Sequence, residues 1–138
     1  MLRGLTTISY FADDVDAARR WYTELLGCEP YFVRPVDGPS AYVEFRVGDY
    51  QHELGIVDRR FAPPGPHTPA GATAYWHVDD VEATVERLVA LGATLREPPT
   101  ERGPGFVTAS VVDPFGNVLG VMYNRHYLDV LGQNSRPR

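Results

Sequence analysis

Residues 8–27, ISYFADDVDAARRWYTELLG, return in altered form at residues 74–92 as AYWHVDDVEATVERLVALG. Asp13, Asp14, Val15 and Ala17 fall on Asp79, Asp80, Val81 and Ala83, and Leu26-Gly27 falls on Leu91-Gly92 after a one-residue deletion. In both copies an alternating apolar run leads into two acids, a helical pattern and a closing Leu-Gly. The chain reads as one motif used twice.

Working outward, Leu5 to Ala12 alternates as a strand, with Thr7, Ser9 and Phe11 on one face and Ile8 and Tyr10 on the other. Asp13 or Asp14 can cap the helix that follows. Val15, Ala18, Tyr22, Leu25 and Leu26 form its apolar stripe, widened by Trp21, and Gly27 ends it. Strands are expected at Glu29 to Arg34, Ser40 to Val47 and Tyr50 to Val57, the first two joined through the strand-breaking run Pro35 to Pro39.

The segment from Asp58 to Gly71, DRRFAPPGPHTPAG, holds Pro63, Pro64, Pro66 and Pro69 and reads as a linker or lid, with His67 as an exposed loop residue. The pattern then restarts. Thr73 to Val78 is a strand presenting Thr73, Tyr75 and His77 on one face, with Trp76 turned away to pack under a helix. Asp79 with Glu82 resembles a capping box, and Val81, Val85, Leu88 and Leu91 give the second helix its stripe. A short strand near Ala93 to Glu97, a turn through Pro98 to Gly103, and strands at Phe106 to Val112 and Asn117 to Tyr123 complete the second copy. Asp113-Pro114-Phe115-Gly116-Asn117 suits a tight turn, and the tail from Asn124 is expected to form one helical turn and then fray.

With 138 residues, the chain has the size of one domain. It divides into a first module at about 5–57, a linker at 58–71, a second module at about 72–124 and a tail at 125–138. The net charge of −5, from 18 acids against 13 Lys and Arg with no basic run, argues against nucleic acid and anionic membranes as partners. The single cysteine, Cys28, rules out an internal disulfide and suits a reducing cytoplasm, and it reads as a small residue at the end of the first helix rather than a catalytic one. No apolar run approaches the ~20 residues of a membrane span.

Two strand-helix-strand-strand-strand modules, acid-capped helices ending in Leu-Gly, and DPFGN before the last strand resemble the vicinal oxygen chelate superfamily over roughly residues 5–124. That family includes glyoxalases, extradiol dioxygenases, epimerases and bleomycin-resistance proteins. The resemblance implies an α+β fold of two βαβββ modules forming a cupped mixed sheet. Its metal-dependent members take ligands from the first and last strands of each module, positions that fall here on Thr7, Glu53, Thr73 and Gly120. Only Glu53 is an ordinary ligand, so no metal cofactor is expected. His77 points the same way as Thr73 but roughly 13 Å along the strand, and His52 adjoins Glu53 and points to the opposite face.

If the register holds, the cup is lined by Thr7, Ser9, Phe11, Gln51, Glu53, Gly55, Thr73, Tyr75, His77, Val118, Gly120 and Met122, with Phe61 and Phe106 placed to close over a ligand or to anchor their loops. The surface suits a small, partly aromatic molecule. Glu53 is either a general base whose charged form is disfavoured, with Tyr75 or His77 as acid, or a carboxylate paired with an Arg or hydrogen-bonded by Thr7 and Thr73. Three functions stay open: a metal-independent binding protein, a metal-free lyase, isomerase or epimerase, and a metal-dependent glyoxalase or dioxygenase. Exposed sheet edges, and the homodimers common among relatives, make a homodimer the expected assembly.

Overall fold

The computed structural model describes residues 1, 3–63 and 72–134, so His67 lies outside the described residues. Two compact units divide the chain: Met1–Pro69 together with Phe115–Asn117, and Ala70–Pro114 together with Val118–Arg138.

The first unit runs β1 (Thr7–Ala12), α1 (Val15–Leu26), β2 (Phe32–Arg34), β3 (Tyr42–Val47) and β4 (His52–Asp58), followed by a 3-10 turn at Arg59–Phe61. Its sheet has the order β1-β4-β3-β2, with β1 parallel to β4 and the other pairs antiparallel. Alternation decides which face meets α1. Tyr10, Ala12, Val43, Phe45, Leu54 and Ile56 are buried together with Val15, Ala18 and Tyr22 of the helix. Each large apolar side chain so buried contributes roughly 1.5–3 kcal/mol. Gly27 closes α1 at φ 72°, the left-handed conformation that favours glycine.

The second unit repeats the plan with β5 (Tyr75–His77), α2 (Val81–Ala90), β6 (Thr94–Gly103), β7 (Phe106–Val112) and β8 (Val118–Asn124), and adds α3 (Arg125–Asn134). Its sheet has the order β5-β8-β7-β6, and Val81, Val85 and Leu88 of α2 are buried with Ala109, Val111, Leu119 and Val121.

Several local expectations change. The turn expected at Pro98 to Gly103 is strand: β6 runs unbroken to Gly103, and the turn is Pro104-Gly105. As an edge strand it tolerates two prolines, because their missing N–H groups are not needed by a neighbour, and shifts of register at Leu95/Glu97 and Glu97/Thr100 absorb the misfit. The tail is a ten-residue helix rather than one turn. Asn124 starts it by accepting the His126 N–H at 3.0 Å, and Tyr127 stacks on His77 with centroids 4.6 Å apart. Asp80, not Asp79, caps α2 by accepting the Ala83 N–H at 3.0 Å, as Asp14 does for Ala17 at 3.0 Å. The first acid of each pair meets a basic side chain instead: Asp13 takes Arg59 Nε at 3.0 Å, and Asp79 Oδ1 lies 3.7 Å from His77 Nε2.

The DPFGN turn has a use that its turn chemistry did not reveal. Asn117 accepts the Phe11 N–H at 3.0 Å and donates to the Phe11 carbonyl at 2.9 Å, so one amide side chain satisfies both backbone groups that Phe11 turns to the open side of edge strand β1. Arg59 donates to the Phe11 and Phe115 carbonyls beside it.

Candidate functional site

In the first unit, the sheet face away from α1 is built in rows across the strands. The register sets Thr7 beside Glu53 beside Arg46, then Ser9 beside Gly55 beside Glu44 beside Phe32, then Phe11 beside Val57 beside Tyr42 beside Arg34. Glu53 is committed within its own row. Thr7 Oγ1 donates to Glu53 Oε2 at 2.7 Å, and Arg46 Nη1 lies 3.7 Å from Oε1 with a quarter of the glutamate side chain exposed. Of the two readings left open for Glu53, the contacts present are the Arg pairing and the Thr7 hydrogen bond. Tyr42 donates its hydroxyl to Glu44, and its ring lies over Gly55, where a Cβ would come within 2.8 Å of the phenol oxygen. Burial, followed by the charge of Glu53, holds the Glu44 carboxyl above the usual range, and the same two causes raise the Tyr42 phenol. Gln51 stands outside β4, in the preceding turn at φ 54°, with its amide donating to the Gly48 carbonyl at 3.0 Å.

In the second unit the corresponding rows are Tyr75, Gly120, Ser110 and Glu97, then His77, Met122, Thr108 and Thr100. Thr73 precedes β5 and is half-buried. Tyr75, 38% exposed, covers Gly120 as Tyr42 covers Gly55: a Cβ on Gly120 would sit 2.6 Å from the Ala74 carbonyl oxygen and 2.7 Å from the Tyr75 ring. His77 is largely enclosed, its side chain 8% exposed, with Tyr127 stacked on it and Tyr123 tilted against it. Its Nδ1 accepts the Asn124 N–H at 3.2 Å, which assigns the proton to Nε2 by hydrogen-bond pattern. The Met122 sulfur takes the Asn124 amide at 3.8 Å. Arg102 Nε donates to Thr108 at 3.1 Å, and Arg96 reaches Ser110 and Glu97 at 3.4 Å each, giving this face a polar outer edge. Phe106 begins β7 half-buried, and Phe61 is 62% exposed with Arg60 over its ring at 4.8 Å.

The model of the Glyoxalase/Bleomycin resistance protein/Dioxygenase superfamily matches residues 4–121, spanning both units. The chain belongs to that superfamily. The glyoxalase-superfamily chain is 30% identical over 118 residues to the Mycobacterium bovis protein named "Putative glyoxylase CFP32", an alignment covering 82% of this chain and 43% of that one. The chain therefore spans less than half the length of the curated relatives it matches. Among solved structures, a glyoxalase-related enzyme from Fulvimarina pelagi superposes with TM-score 0.68 at 22% identity, covering 89% of each chain. A superfamily member from Sphaerobacter thermophilus also gives 0.68, at 20% identity, covering 88% of this chain and 97% of that one. These likenesses establish the fold.

The superfamily's divalent ion can be tested against the donors present. The two units do not match where the sequence paired them. Under the duplication Ser9 corresponds to Tyr75, and their partners on the last strands are Gly55 and Gly120. Gly120 is thus the counterpart of Gly55, not of Glu53. Both glycines lie under tyrosine rings, the two threonines are weak neutral donors, and Glu53 is engaged by Thr7 and Arg46. Among the described residues no group of three His, Cys, Asp or Glu could hold a metal ion. The described residues of these strands do not supply the donors such an ion needs.

Tyr42, Glu44 and Arg46 were missing from the sequence-derived site. Their signal was available: YVEFRV alternates, and the face opposite Val43 and Phe45 had to carry them.

Proposed function

We propose that this glyoxalase-superfamily chain is a metal-independent small-molecule-binding protein that holds or sequesters a small, partly aromatic ligand against the free faces of its sheets. The observation that carries this reading is a tyrosine ring over the glycine of the last strand in each unit: Tyr42 over Gly55 and Tyr75 over Gly120. Rings with a few hydrogen-bonding groups beside them bind planar molecules and orient them. The proposed contacts, each face taken by itself, are Thr7, Ser9 and Phe11 for the first unit and Thr73, Tyr75, His77, Phe106 and Met122 for the second. The test pairs elemental analysis of the purified protein with mass spectrometry of whatever leaves it on denaturation. An aromatic metabolite at near one per chain, without a divalent ion, is expected; a stoichiometric divalent ion refutes metal independence.

A second reading, an enzyme of the lyase, isomerase or dioxygenase type, is favoured by Glu53, whose carboxylate is held in place yet a quarter exposed. It would act as general base or as the sole remaining metal ligand. Glu53→Gln would then abolish turnover of a substrate while sparing its binding. The open edges β1, β2, β5 and β6 support a homodimer, which light scattering after size exclusion tests at micromolar concentration. The exposed, unpaired Cys28 supports a cytoplasmic setting.

A further inference from the structure

The free face of the first sheet carries one acid that the proposed function leaves unused. Glu44 lies between Phe32 on β2 and Gly55 on β4, and its hydrogen-bond partner is the hydroxyl of Tyr42, two residues back on the same strand. Phe32 meets the Tyr42 ring edge-on, with centroids 6.1 Å apart, and the absent side chain of Gly55 makes room for that ring. The carboxylate stands in an aromatic corner.

The cations nearby are already placed. Arg46 faces Glu53 at 3.7 Å and lies over the Tyr31 ring at 4.5 Å. Arg34 lies over the Phe32 ring at 4.1 Å and gives Nη1 to the Val33 carbonyl at 2.7 Å. Among the described residues Glu44 has no basic side chain within the 4.0 Å of an ion pair. Its carboxyl is correspondingly held above the usual range, by burial and then by Glu53, against a smaller opposing effect of Arg46. The protein's own guanidinium groups, Arg34 over Phe32 and Arg46 over Tyr31, show that rings in and just before β2 accept a flat cation. What the corner lacks is a positive group opposite Glu44.

The geometry points to the Tyr42–Glu44 corner as a recognition site for the planar, nitrogen-centred cation of a small ligand, an amidinium or an aromatic ammonium, ion-paired to Glu44 and resting against the Tyr42 ring. This rests on the proposed reading that the face binds a small molecule, and adds the charge of that molecule. A cation there supplies the missing partner of a half-buried carboxylate, and the ring quadrupole adds to the attraction.

Calorimetric titration of the full chain with benzamidinium chloride and with benzyl alcohol, at pH 7 and low salt, tests it. Benzamidinium is expected to bind one per chain, at least tenfold more tightly than benzyl alcohol. Glu44→Gln, which keeps an acceptor for the Tyr42 hydroxyl, should remove that advantage while leaving benzyl alcohol unchanged. Affinity for benzamidinium should also fall as pH drops and Glu44 takes up a proton. Equal binding of the two probes, or an advantage that survives Glu44→Gln in a variant with unchanged circular dichroism, overturns the cation assignment while the small-molecule reading stands. If neither probe binds, the assignment falls as well, and the broader reading is then decided by the mass spectrometry of the native ligand.

Discussion

Replacing Asn117 with alanine should cost the protein about 2–3 kcal/mol, far more than a turn residue usually carries. The side-chain amide makes two hydrogen bonds to one residue, accepting the Phe11 N–H at 3.0 Å and donating to its carbonyl at 2.9 Å. Each is worth about 0.5–1.5 kcal/mol net. The variant does not lose both equally. The Phe11 carbonyl keeps Arg59 Nη2 at 3.3 Å, whereas the half-buried Phe11 N–H is left without a protein partner, which adds to the cost. Equilibrium urea unfolding followed by tryptophan fluorescence reads the loss as a midpoint lowered by roughly 1.5 M, for a denaturant slope of about 1.5–2 kcal/mol/M. Asn117→Asp keeps the acceptor for Phe11 N–H and should fall between the two. A midpoint for Asn117→Ala within about 0.3 M of the parent protein would refute the claim that this side chain completes the edge of β1.

The two acid pairs should separate cleanly: Asp80→Ala and Asp14→Ala each cost about 1 kcal/mol by removing a helix cap, while Asp79→Ala, by thermal unfolding, stays within about 0.5 kcal/mol. Gly120→Ala should destabilise by about 1–3 kcal/mol, because its Cβ meets the Ala74 backbone carbonyl at 2.6 Å. Gly55→Ala meets first the movable Tyr42 side chain, so it should cost less and shift the near-ultraviolet signal of tyrosine instead. For Glu44 the folded carboxyl is raised above its unfolded value, so its contribution is fully present below the unfolded value near 4.5 and fades as pH rises through the folded one. Glu44→Gln should accordingly gain stability relative to the parent protein between acid and neutral pH. Asp16 runs the other way: hydrogen bonding by Ser40 lowers its carboxyl below 3.8, so its contribution is present above that value and is lost as pH falls further, and Asp16→Asn should flatten the acid limb of the unfolding curve.

Much of the fold was legible because the local signals agree. Alternation assigned the faces of β1 and β5, helical spacing assigned Val15, Ala18 and Tyr22 to the core, and the repeat supplied the second module once the first was read. The failures lie where tertiary context overrides a local signal. Pro98 and Pro99 signal a break, and an edge strand forgives them. Residues 125–134 look too short and polar for a stable helix, yet Tyr127 finds the imidazole of His77 and Asn124 supplies a cap. Glu53 was legible as the residue to watch, but its state depends on Arg46, which adjoins it only through the β3–β4 register. Register cannot be read from either strand alone.

That register also explains why a duplicated scaffold need not keep duplicated chemistry. The same helix cap, the same Leu-Gly ending and the same glycine under a tyrosine recur in both units, and all are matters of backbone path and packing. The tyrosines, however, arrive from different strands. Tyr42 reaches Gly55 from β3, antiparallel to it, and Tyr75 reaches Gly120 from β5, parallel to it. Equivalent cover from non-equivalent positions means that the repeat did not simply copy it. A glycine weakens a strand because it has no side chain to pack, and a ring lying over it covers the gap. Each sheet therefore presents a tyrosine ring over the glycine of its last strand. The first unit retains charged side chains beside that surface, Glu44, Glu53 and Arg46, while the second surrounds it with Ser110, Thr108, Met122 and an enclosed His77. The two faces, each taken by itself, are consequently unlike in charge, and a cationic group is expected to favour the first.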